Sequence, residues 1–597
     1  MSIISNYENG GKKKMKKSYC LDIKDNNYKL GDLNMMFQNK DAITYPDIDP
    51  EHPAKPFFTG IIHQQVKTSI GDRPYLVYLP KNFPISGAGV YIFPDSNISA
   101  EKFLEDGEWK ALSEQTGTAL IILESRDSGW DLKDIQSEVD YCEAVFKSSI
   151  SRLYFSLNES TYYIWGLGTG AYIATTYGLL GSSIFSCIIA DGNYTLRPEL
   201  IEQLKTIRSD RDSLKNKLDV VMPAWLIGGD EDEPVLENLL IANKVIDQGL
   251  KIGETSVFKQ DARYFHSSLD TMPIVEVRHT PKGTKSPGNL ELLKFSLQFK
   301  RWLSIGNGSF RLACTAEEMG LRRYETKIEG RMREWYIHEP SAYLKNPEKK
   351  LPLLLAIHGY SCTGALFAEN SEWHEVGERR DFFTVYVSAY PSNKSFKGRT
   401  VPLPTWNAIG MEGETDDISF IREVLYKVKE KWPIDLERIY VSGHSNGSLM
   451  TQTLMKELPL EFAAFAPQGA QMHMNLNDTD DLEKRDISPD DIIRPVWLMM
   501  GQEDIGDQDK IEPNNANDRF LNMMCQVNGL DRDKFQVLEN GKYRTLTFSN
   551  SDGIPLLKFT GILDTPHSFT QEFAQIYWDQ FLCHFRRKDD GSVLYTL

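Results

Sequence analysis

The sequence predicts an α/β protein with two tandem domains, each a mostly parallel sheet flanked by helices. In both halves, short apolar segments alternate with amphipathic helical segments, beginning with the strand-like runs 73–79 and 333–338. Alternation of this kind favours a parallel sheet covered by helices on both faces. The second observation is an internal repeat, because three segments of the first half match three segments of the second half in the same order.

The repeat extends over most of each half. The matched segments are residues 108–123 with 372–387, residues 163–171 with 440–448, and residues 223–232 with 495–504. The first pair aligns without a gap, and each member is typical of a helix that runs into a buried strand. Two of the three matches contain paired tryptophans. A repeat on this scale indicates one fold encoded twice; two unrelated α/β domains with generic strand patterns remain the alternative.

The domain boundaries follow from this repeat. We expect an N-terminal tail and lead-in over residues 1–50, a first domain over 51–305 and a second over 306–597. The short polar, Gly-rich segment Ser304–Ser309 is the predicted link between the domains. Five lysines between Lys12 and Lys17 are not followed by an apolar run, which favours a tail over a secretion signal. Either Met1 or Met15 is compatible with this interpretation as the natural start.

Composition and charge exclude several classes of protein. The 41% hydrophobic content is typical of a globular chain. The net charge of −17, without a large basic block, makes a nucleic-acid partner unexpected. No uninterrupted apolar run approaches the ~18 residues of a membrane span, so no membrane partner is expected.

The cysteine and histidine patterns give no sign of a metal or cofactor. Seven cysteines are widely scattered and include no CxxC pair, which favours a reducing, cytoplasmic location without disulfides or zinc. His374-Glu375 lacks the second histidine of an HExxH motif, and the acidic run at 478–481 is typical of a solvated loop. We therefore expect no metal and no cofactor.

The second half contains a candidate nucleophile. Residues Gly443–Gly447 have the form GxSxG, with Ser445 at the centre. An apolar, β-branched segment at 438–442 precedes the motif, and apolar residues at helical spacing follow it. A strand, a sharp Gly-flanked turn and a helix are what a nucleophile elbow requires. The elbow holds the serine hydroxyl at the end of the sheet, beside the positive end of a helix.

A serine nucleophile needs a base and an acid that orients the base. In proteins with this elbow the chain order is serine, then the acid, then histidine. Asp504 follows the apolar strand 496–500, and His567 precedes a predicted amphipathic helix. Ser445, Asp504 and His567 are therefore the predicted catalytic residues, with Glu503 and Asp507 as rivals for the acid.

The same reaction needs hydrogen-bond donors for the oxyanion. The buried segment from residue 353 ends in His358-Gly359, which resembles the His-Gly loop of proteins with this elbow. We expect one donor to be the backbone N–H of Asn446 and the other that of Tyr360 or Ser361. The His358 side chain is expected to be structural. The residues expected to contact the substrate are Trp406, His444 and Ser361.

Together these motifs resemble a known family. The second half is similar to α/β-hydrolases of the polyhydroxybutyrate depolymerase and feruloyl esterase type. The resemblance is carried by His358-Gly359, by Trp406 followed by Asp416–Phe420, by Asp435–Gly447, and by the later acid and His567. It implies a serine esterase that forms an acyl-enzyme on small acyl, hydroxycinnamoyl or hydroxyacid esters. Members are often secreted, whereas this sequence has no evident signal, so a soluble ester is the expected substrate.

The first half has the same pattern without the chemistry. Its elbow reads Gly166-Leu-Gly-Thr-Gly170, with Gly168 at the nucleophile position, and Pro94-Asp95 replaces the His-Gly pair. Asp232 stands opposite Asp504, and His279 is the nearest candidate base. We therefore predict a degenerate, non-catalytic α/β-hydrolase-like domain followed by a catalytic one.

Three alternatives remain at the level of sequence. Gly166, Gly168 and Ala171, followed by Asp191, also match a dinucleotide-binding fingerprint, although such a fingerprint normally opens the first βαβ unit of its domain. A serine peptidase of the prolyl-oligopeptidase type would use the same three catalytic residue types. A non-enzymatic scaffold with a vestigial elbow is the third. Homo-oligomerisation and intramolecular pairing of the two domains are both compatible with the sequence.

Overall fold

The computed structural model describes most of the chain in two compact units. The described residues are 47–56, 58–150, 155–209, 215–229, 233–245, 249–260, 275–301, 310–312, 314–392, 401–409, 411, 413–474, 482–502, 504, 510–565 and 567–596. The first unit takes in Ala54–Ala313, and the second takes in Ile48–Pro53 and Cys314–Leu597. The predicted link at 304–309 and nearly all of the predicted tail lie outside the described residues.

The first unit is built on a ten-stranded sheet. Its strands are β1 (Gly60–Thr68), β2 (Gly71–Leu79), β3 (Gly87–Phe93), β4 (Ala119–Leu123), β5 (Leu157–Gly168), β6 (Phe185–Gly192), β7 (Ala224–Ile227), β8 (Leu250–Ile252), β9 (Thr255–Lys259) and β10 (Glu276–Thr280). Their order in the sheet is β1-β2-β4-β3-β5-β6-β7-β10-β9-β8. The six central strands from β4 to β10 are parallel, and antiparallel strands complete both edges. A small hairpin of β11 (Phe299–Arg301) and β12 (Phe310–Leu312) follows.

The second unit repeats this sheet strand for strand. Its strands are β13 (Leu321–Ile328), β14 (Arg331–His338), β15 (Leu351–Ile357), β16 (Phe383–Val387), β17 (Pro391–Ser392), β18 (Leu403–Pro404), β19 (Ile434–His444), β20 (Ala464–Gln468), β21 (Val496–Gly501), β22 (Gln536–Asn540), β23 (Tyr543–Ser549), β24 (Pro555–Ile562), β25 (Phe585–Arg587) and β26 (Val593–Tyr595). The large sheet has the order β13-β14-β16-β15-β19-β20-β21-β24-β23-β22. Strands β17 with β18 and β25 with β26 form separate two-stranded ribbons.

Helices cover both faces of each sheet. Those of the first unit are α1 (Ala100–Asp106), α2 (Trp109–Thr116), α3 (Ile135–Ser149), α4 (Gly170–Leu180), α5 (Pro198–Thr206), α6 (Pro234–Ala242) and α7 (Asn289–Leu297). Those of the second unit are α8 (Ser341–Lys345), α9 (Gly364–Ser371), α10 (Trp373–Arg380), α11 (Asp417–Lys431), α12 (Asn446–Glu457), α13 (Ala516–Val527) and α14 (Gln571–Gln580). In the described part of the chain, no helix has the length and apolarity to cross a membrane.

Each unit has two hydrophobic clusters because each sheet is buried on both faces. The paired tryptophans of the repeat belong to them, and Trp225 and Trp497 each donate an indole N–H to a threonine of the neighbouring strand at 2.9 and 2.8 Å. The predicted fold class, two tandem α/β-hydrolase-like domains, is confirmed. The prediction of mostly parallel sheets holds for the centre of each sheet, whereas the edges are antiparallel.

One repeated feature was not apparent from the sequence. In each unit an arginine on the second strand forms a buried ion pair with the first turn of a long helix. Arg73 donates to Glu138 and Arg333 donates to Asp417, both at 2.6 Å. The chain between the partners differs in length by 19 residues, because the two pairs are 65 and 84 positions apart. This insertion hides the correspondence from an ungapped comparison.

Candidate active site

Ser445 lies at the junction of β19 and α12, with φ 57° and ψ −119°. A residue with a side chain rarely adopts this conformation, and such strain is concentrated at functional sites. The flanking glycines are a steric requirement, as expected. A Cβ on Gly443 would lie 2.1 Å from the Gly447 carbonyl oxygen, and one on Gly447 would lie 2.2 Å from that of Ile357. The local sequence thus permits a tight turn that presents the serine hydroxyl at the end of the sheet.

His567 connects this serine to a buried carboxylate. Its Nε2 lies 2.8 Å from Ser445 Oγ, and its Nδ1 lies 2.5 Å from Asp504 Oδ1. In the neutral ring, Nδ1–H donates to Asp504, which leaves Nε2 as the acceptor for the serine hydroxyl. The structure therefore brings together the three predicted catalytic residues from three separate segments of the chain.

The surroundings differ between the acid and the base. The Asp504 side chain is fully buried, and its Oδ2 accepts a hydrogen bond from the Gly501 backbone N–H at the end of β21. The His567 side chain is 29% exposed, so a substrate can approach it. The rival acids Glu503 and Asp507 lie outside the described residues.

The candidate oxyanion donors lie on two segments beside Ser445, namely the start of α12 and the loop after β15. Asn446 is the first residue of α12, so its backbone N–H has no acceptor within the helix. The Ser361 backbone N–H donates to the Pro404 carbonyl oxygen at 3.0 Å. This bond engages Ser361 elsewhere and favours Tyr360 as the second donor.

Trp406 is fully buried, which corrects its expected role as a substrate contact. Its indole N–H donates to the His358 carbonyl oxygen at 2.9 Å, and its backbone N–H donates to the Asn446 side chain at 2.8 Å. Trp406 thus supports both segments that carry the candidate oxyanion donors. In the first unit, Trp130 makes the equivalent indole bond to Pro94 at 2.8 Å.

The ion pair of Arg333 and Asp417 also holds the loop that contains Trp406. Asp417 accepts from the Asn407 backbone N–H at 2.6 Å, directly after Trp406. The Arg333 guanidinium lies 5.9 Å from the Trp406 ring centroid. We did not predict this arrangement; the signal for it in the sequence is the arginine that begins both strand-like runs, 73–79 and 333–338.

His358 is structural, as expected. It is fully buried, its Nε2 accepts from the Ala389 backbone N–H at 2.9 Å, and its Nδ1 lies 2.6 Å from the Gly359 carbonyl oxygen. Burial lowers the pKa of His358 to about 4, which keeps the ring neutral.

His444 lies behind the base. Its ring centroid is 4.6 Å from that of His567, and the rings are tilted by 37°. Burial, reinforced by the charge of His567, holds the pKa of His444 well below its ordinary value. The His444 ring therefore packs against His567, and its expected contact with the substrate stays a prediction.

The first unit has an elbow of the same shape. Gly168 has φ +55°, close to that of Ser445. His279 lies within β10 and is fully buried, and its Nε2 is 3.2 Å from the Gly229 carbonyl oxygen. It is therefore a core strand residue and does not occupy a loop position like that of His567. Asp232 lies outside the described residues.

Comparisons with known proteins agree with the resemblance. No family model matches the chain. It is 28% identical over 139 residues to a bifunctional acetylxylan esterase/xylanase of Neocallimastix patriciarum, a match covering 23% of this chain and 18% of that protein. It is 31% identical over 136 residues to poly(3-hydroxyalkanoate) depolymerase C of Paucimonas lemoignei, covering 22% of this chain and 30% of that protein. For feruloyl esterase B of Talaromyces stipitatus the identity is 26% over 133 residues, covering 22% and 34%.

The chain is similar to esterases and depolymerases. These matches confirm the predicted resemblance, and they span about a fifth to a third of the relatives' length. Among solved structures, acetyl xylan esterase from Aspergillus awamori matches 43% of this chain and 98% of its own at 15% identity, with a TM-score of 0.31. An S-formylglutathione hydrolase from Agrobacterium tumefaciens matches 44% and 94% at 12% identity, with a TM-score of 0.30.

Proposed function

We propose that this protein is a serine carboxylic-ester hydrolase whose second unit carries the active site. The observation that carries the proposal is the continuous hydrogen-bonded chain from Ser445 through His567 to Asp504 at a strained strand-to-helix turn. Nucleophile, base and orienting acid in this geometry are the requirements for acyl transfer. The sequence similarity to named esterases and a depolymerase supports the same reaction class.

The reaction proceeds in two steps. Ser445 Oγ attacks the ester carbonyl carbon while its proton moves to His567 Nε2. The negative charge that develops on the carbonyl oxygen is stabilised by the backbone N–H groups of Asn446 and Tyr360. When this intermediate collapses, the alcohol leaves with the proton from His567, and the acyl group remains on Ser445. Water, deprotonated by His567, then attacks the acyl carbon. The bond to Ser445 Oγ breaks as His567 returns the proton to that oxygen, the acid leaves, and Asp504 stays ionised throughout.

The proposed substrates are small acyl, hydroxycinnamoyl or hydroxyacid esters. These are the acyl classes that the names of the similar proteins imply, namely acetyl, feruloyl and hydroxyalkanoate. We propose in addition that the first unit is non-catalytic, because Gly168 has no side chain with which to attack a carbonyl.

The test combines an active-site probe with a substrate panel. A fluorophosphonate should label the wild-type protein and fail to label Ser445→Ala. Ser448→Ala is a matched control, because Ser448 lies three residues on and its buried hydroxyl donates to Ala470; it should still be labelled. Hydrolysis of p-nitrophenyl, hydroxycinnamoyl and hydroxybutyrate esters should follow the labelling. Folded wild-type protein that is not labelled would favour a scaffold, and faster cleavage of amides than of esters would favour a peptidase.

A further inference from the structure

At a pair of facing positions beside the elbow, the two units have glycine and a residue with a side chain in exchanged places. The equivalent residues, from the register of the paired strands, are Phe93 and Ile357, Gly166 and Gly443, Asp95 and Gly359, and Gly168 and Ser445. In the second unit the side chain is on the elbow, as Ser445, and the facing residue is Gly359. In the first unit the side chain is on the facing loop, as Asp95, and the elbow residue is Gly168.

Steric contact explains this exchange. A Cβ on Gly359 would lie 3.2 Å from the Cβ of Ser445. A Cβ on Gly168 would lie 2.3 Å from the carboxyl carbon of Asp95. The side chain of Asp95 therefore occupies the space that a nucleophile would need, and a serine at position 168 requires that it move.

The carboxylate of Asp95 also accepts hydrogen bonds from the backbone N–H groups at this elbow. Its Oδ1 accepts from the backbone N–H of Thr169 at 2.7 Å and from that of Ser96 at 2.9 Å. The Thr169 hydroxyl adds a third hydrogen bond at 2.7 Å. By strand register, Thr169 and Ser96 are equivalent to Asn446 and Tyr360, the donors proposed for the oxyanion in the second unit. Two N–H groups from separate loops thus converge on one carboxylate oxygen.

The charge of this group agrees with its location. Partial burial alone would raise the pKa of Asp95, but the hydrogen bonds from Thr169 and Ser96 outweigh burial and lower the pKa below its ordinary value. Asp95 is therefore an anion at neutral pH, as a tetrahedral intermediate would be.

We propose that the first unit contains a self-occupied oxyanion site, in which the Asp95 carboxylate binds where the carbonyl oxygen of an ester would bind. The site is closed to external esters and also to phosphate, which argues against the dinucleotide alternative. Removal of the Asp95 side chain should create a binding site for a small carboxylate. This inference concerns the first unit and does not depend on ester hydrolysis by the second.

The first test is chemical rescue in the full chain. Asp95→Gly, which introduces the residue found at position 359, should lower the unfolding temperature by a few degrees. Acetate should restore it in a saturable way at constant ionic strength, and should have no such effect on the wild type. Asp131→Gly is the matched control, because Asp131 also accepts two backbone N–H bonds, but from Lys133 and Asp134 and not from the elbow. Acetate that stabilises Asp95→Gly no more than the control would overturn the proposal.

The second test is a double-mutant cycle that does not require acetate binding. Gly168→Ser should destabilise the wild type strongly and should cost much less when Asp95 is glycine. Additive losses would contradict the proposed exchange.

If Asp95→Gly does not fold, Asp95→Asn retains the side-chain volume and weakens the charged hydrogen bonds. It should lower the unfolding temperature more than Asp131→Asn does, and an equal effect would overturn the proposal.

Discussion

At the scale of the residue, each member of the candidate site is held by contacts of its own. Ser445 is placed by backbone strain, Asp504 by burial and the Gly501 N–H, and His567 by Asp504 on one side and the His444 ring on the other. Because these contacts fix geometry before a substrate binds, single substitutions should affect the rate of reaction more than substrate binding.

Replacing the acid tests whether it orients the base. Asp504→Asn should reduce kcat/KM for p-nitrophenyl acetate by roughly 10⁴-fold, because the amide favours the wrong histidine tautomer. Asp416→Asn, at the N-cap of α11, should leave kcat/KM near the wild-type value. A loss of less than tenfold in Asp504→Asn would indicate that another carboxylate serves as the acid.

Replacing His444 tests whether its ring contacts the substrate or supports His567 by packing. His444→Phe preserves a flat ring against His567 and should retain most of kcat. His444→Ala leaves the base without this support and should reduce kcat by roughly 10- to 100-fold, since small displacements of a catalytic group are costly. Steady-state kinetics of both variants would measure this. An equal increase in KM in both variants, with kcat unchanged, would instead indicate that His444 contacts the substrate.

At the scale of the element, the loop that carries Trp406 connects the core to the candidate oxyanion donors. Asp417, which is paired with Arg333, accepts a hydrogen bond from Asn407 on this loop. Trp406 itself has hydrogen bonds to His358 and Asn446. The first unit has the same support in Arg73, Glu138 and Trp130. The same support is therefore present in a unit with glycine at the elbow position, which indicates a structural role in both.

The repeat supplies its own control for this role. Trp406→Phe and Trp130→Phe each remove one indole hydrogen bond to a buried carbonyl and should each destabilise by ~1–3 kcal/mol. Only Trp406→Phe should also lower kcat, by about tenfold, because only Trp406 supports the oxyanion donors proposed for the catalytic unit. Urea unfolding and ester hydrolysis of the two variants would separate the effects. A rate loss of the same size in Trp130→Phe would contradict the assignment of catalysis to the second unit.

At the scale of the whole molecule, the histidines of the second unit link the stability of this unit to pH. The second unit has four histidines whose pKa is lowered, in each case chiefly by desolvation: His338, His358, His444 and His473. For His358 and His473 the pKa falls to about 4, against an ordinary value of 6.5. These groups bind protons more readily in the unfolded chain than in the folded one.

The stability of the second unit should therefore depend on pH. The contribution of the neutral, buried histidines is present above pH 6.5 and is lost as the pH falls towards 4, because the unfolded state then binds more protons. His358 alone accounts for ~3 kcal/mol of this loss. Hydrogen exchange of peptides from the second unit at pH 7.5 and 4.5 would measure the change. His358→Gln should show a smaller loss, and an unchanged loss would contradict the prediction.

Much of the fold and the candidate site follows from local sequence. The strand and helix periodicities predicted the two α/β halves, and three ordered matches predicted the repeat. Ser445, Asp504 and His567 were found because each lies in a short turn whose type is encoded by its neighbours. The same reasoning could not place Trp406, since whether an aromatic ring faces a substrate or the core depends on residues distant in the chain.

The sequence by itself determined the architecture of both units and which of them retains a serine at the elbow, because these depend on backbone sterics and on patterns within a few residues. Only the tertiary structure decided which side chains support the candidate oxyanion donors and that Asp95 occupies the donors of the first unit. Asp95 and Thr169 are 74 positions apart. Their contact depends on two parallel strands ending at the same edge of a sheet, and spacing along the chain does not encode it.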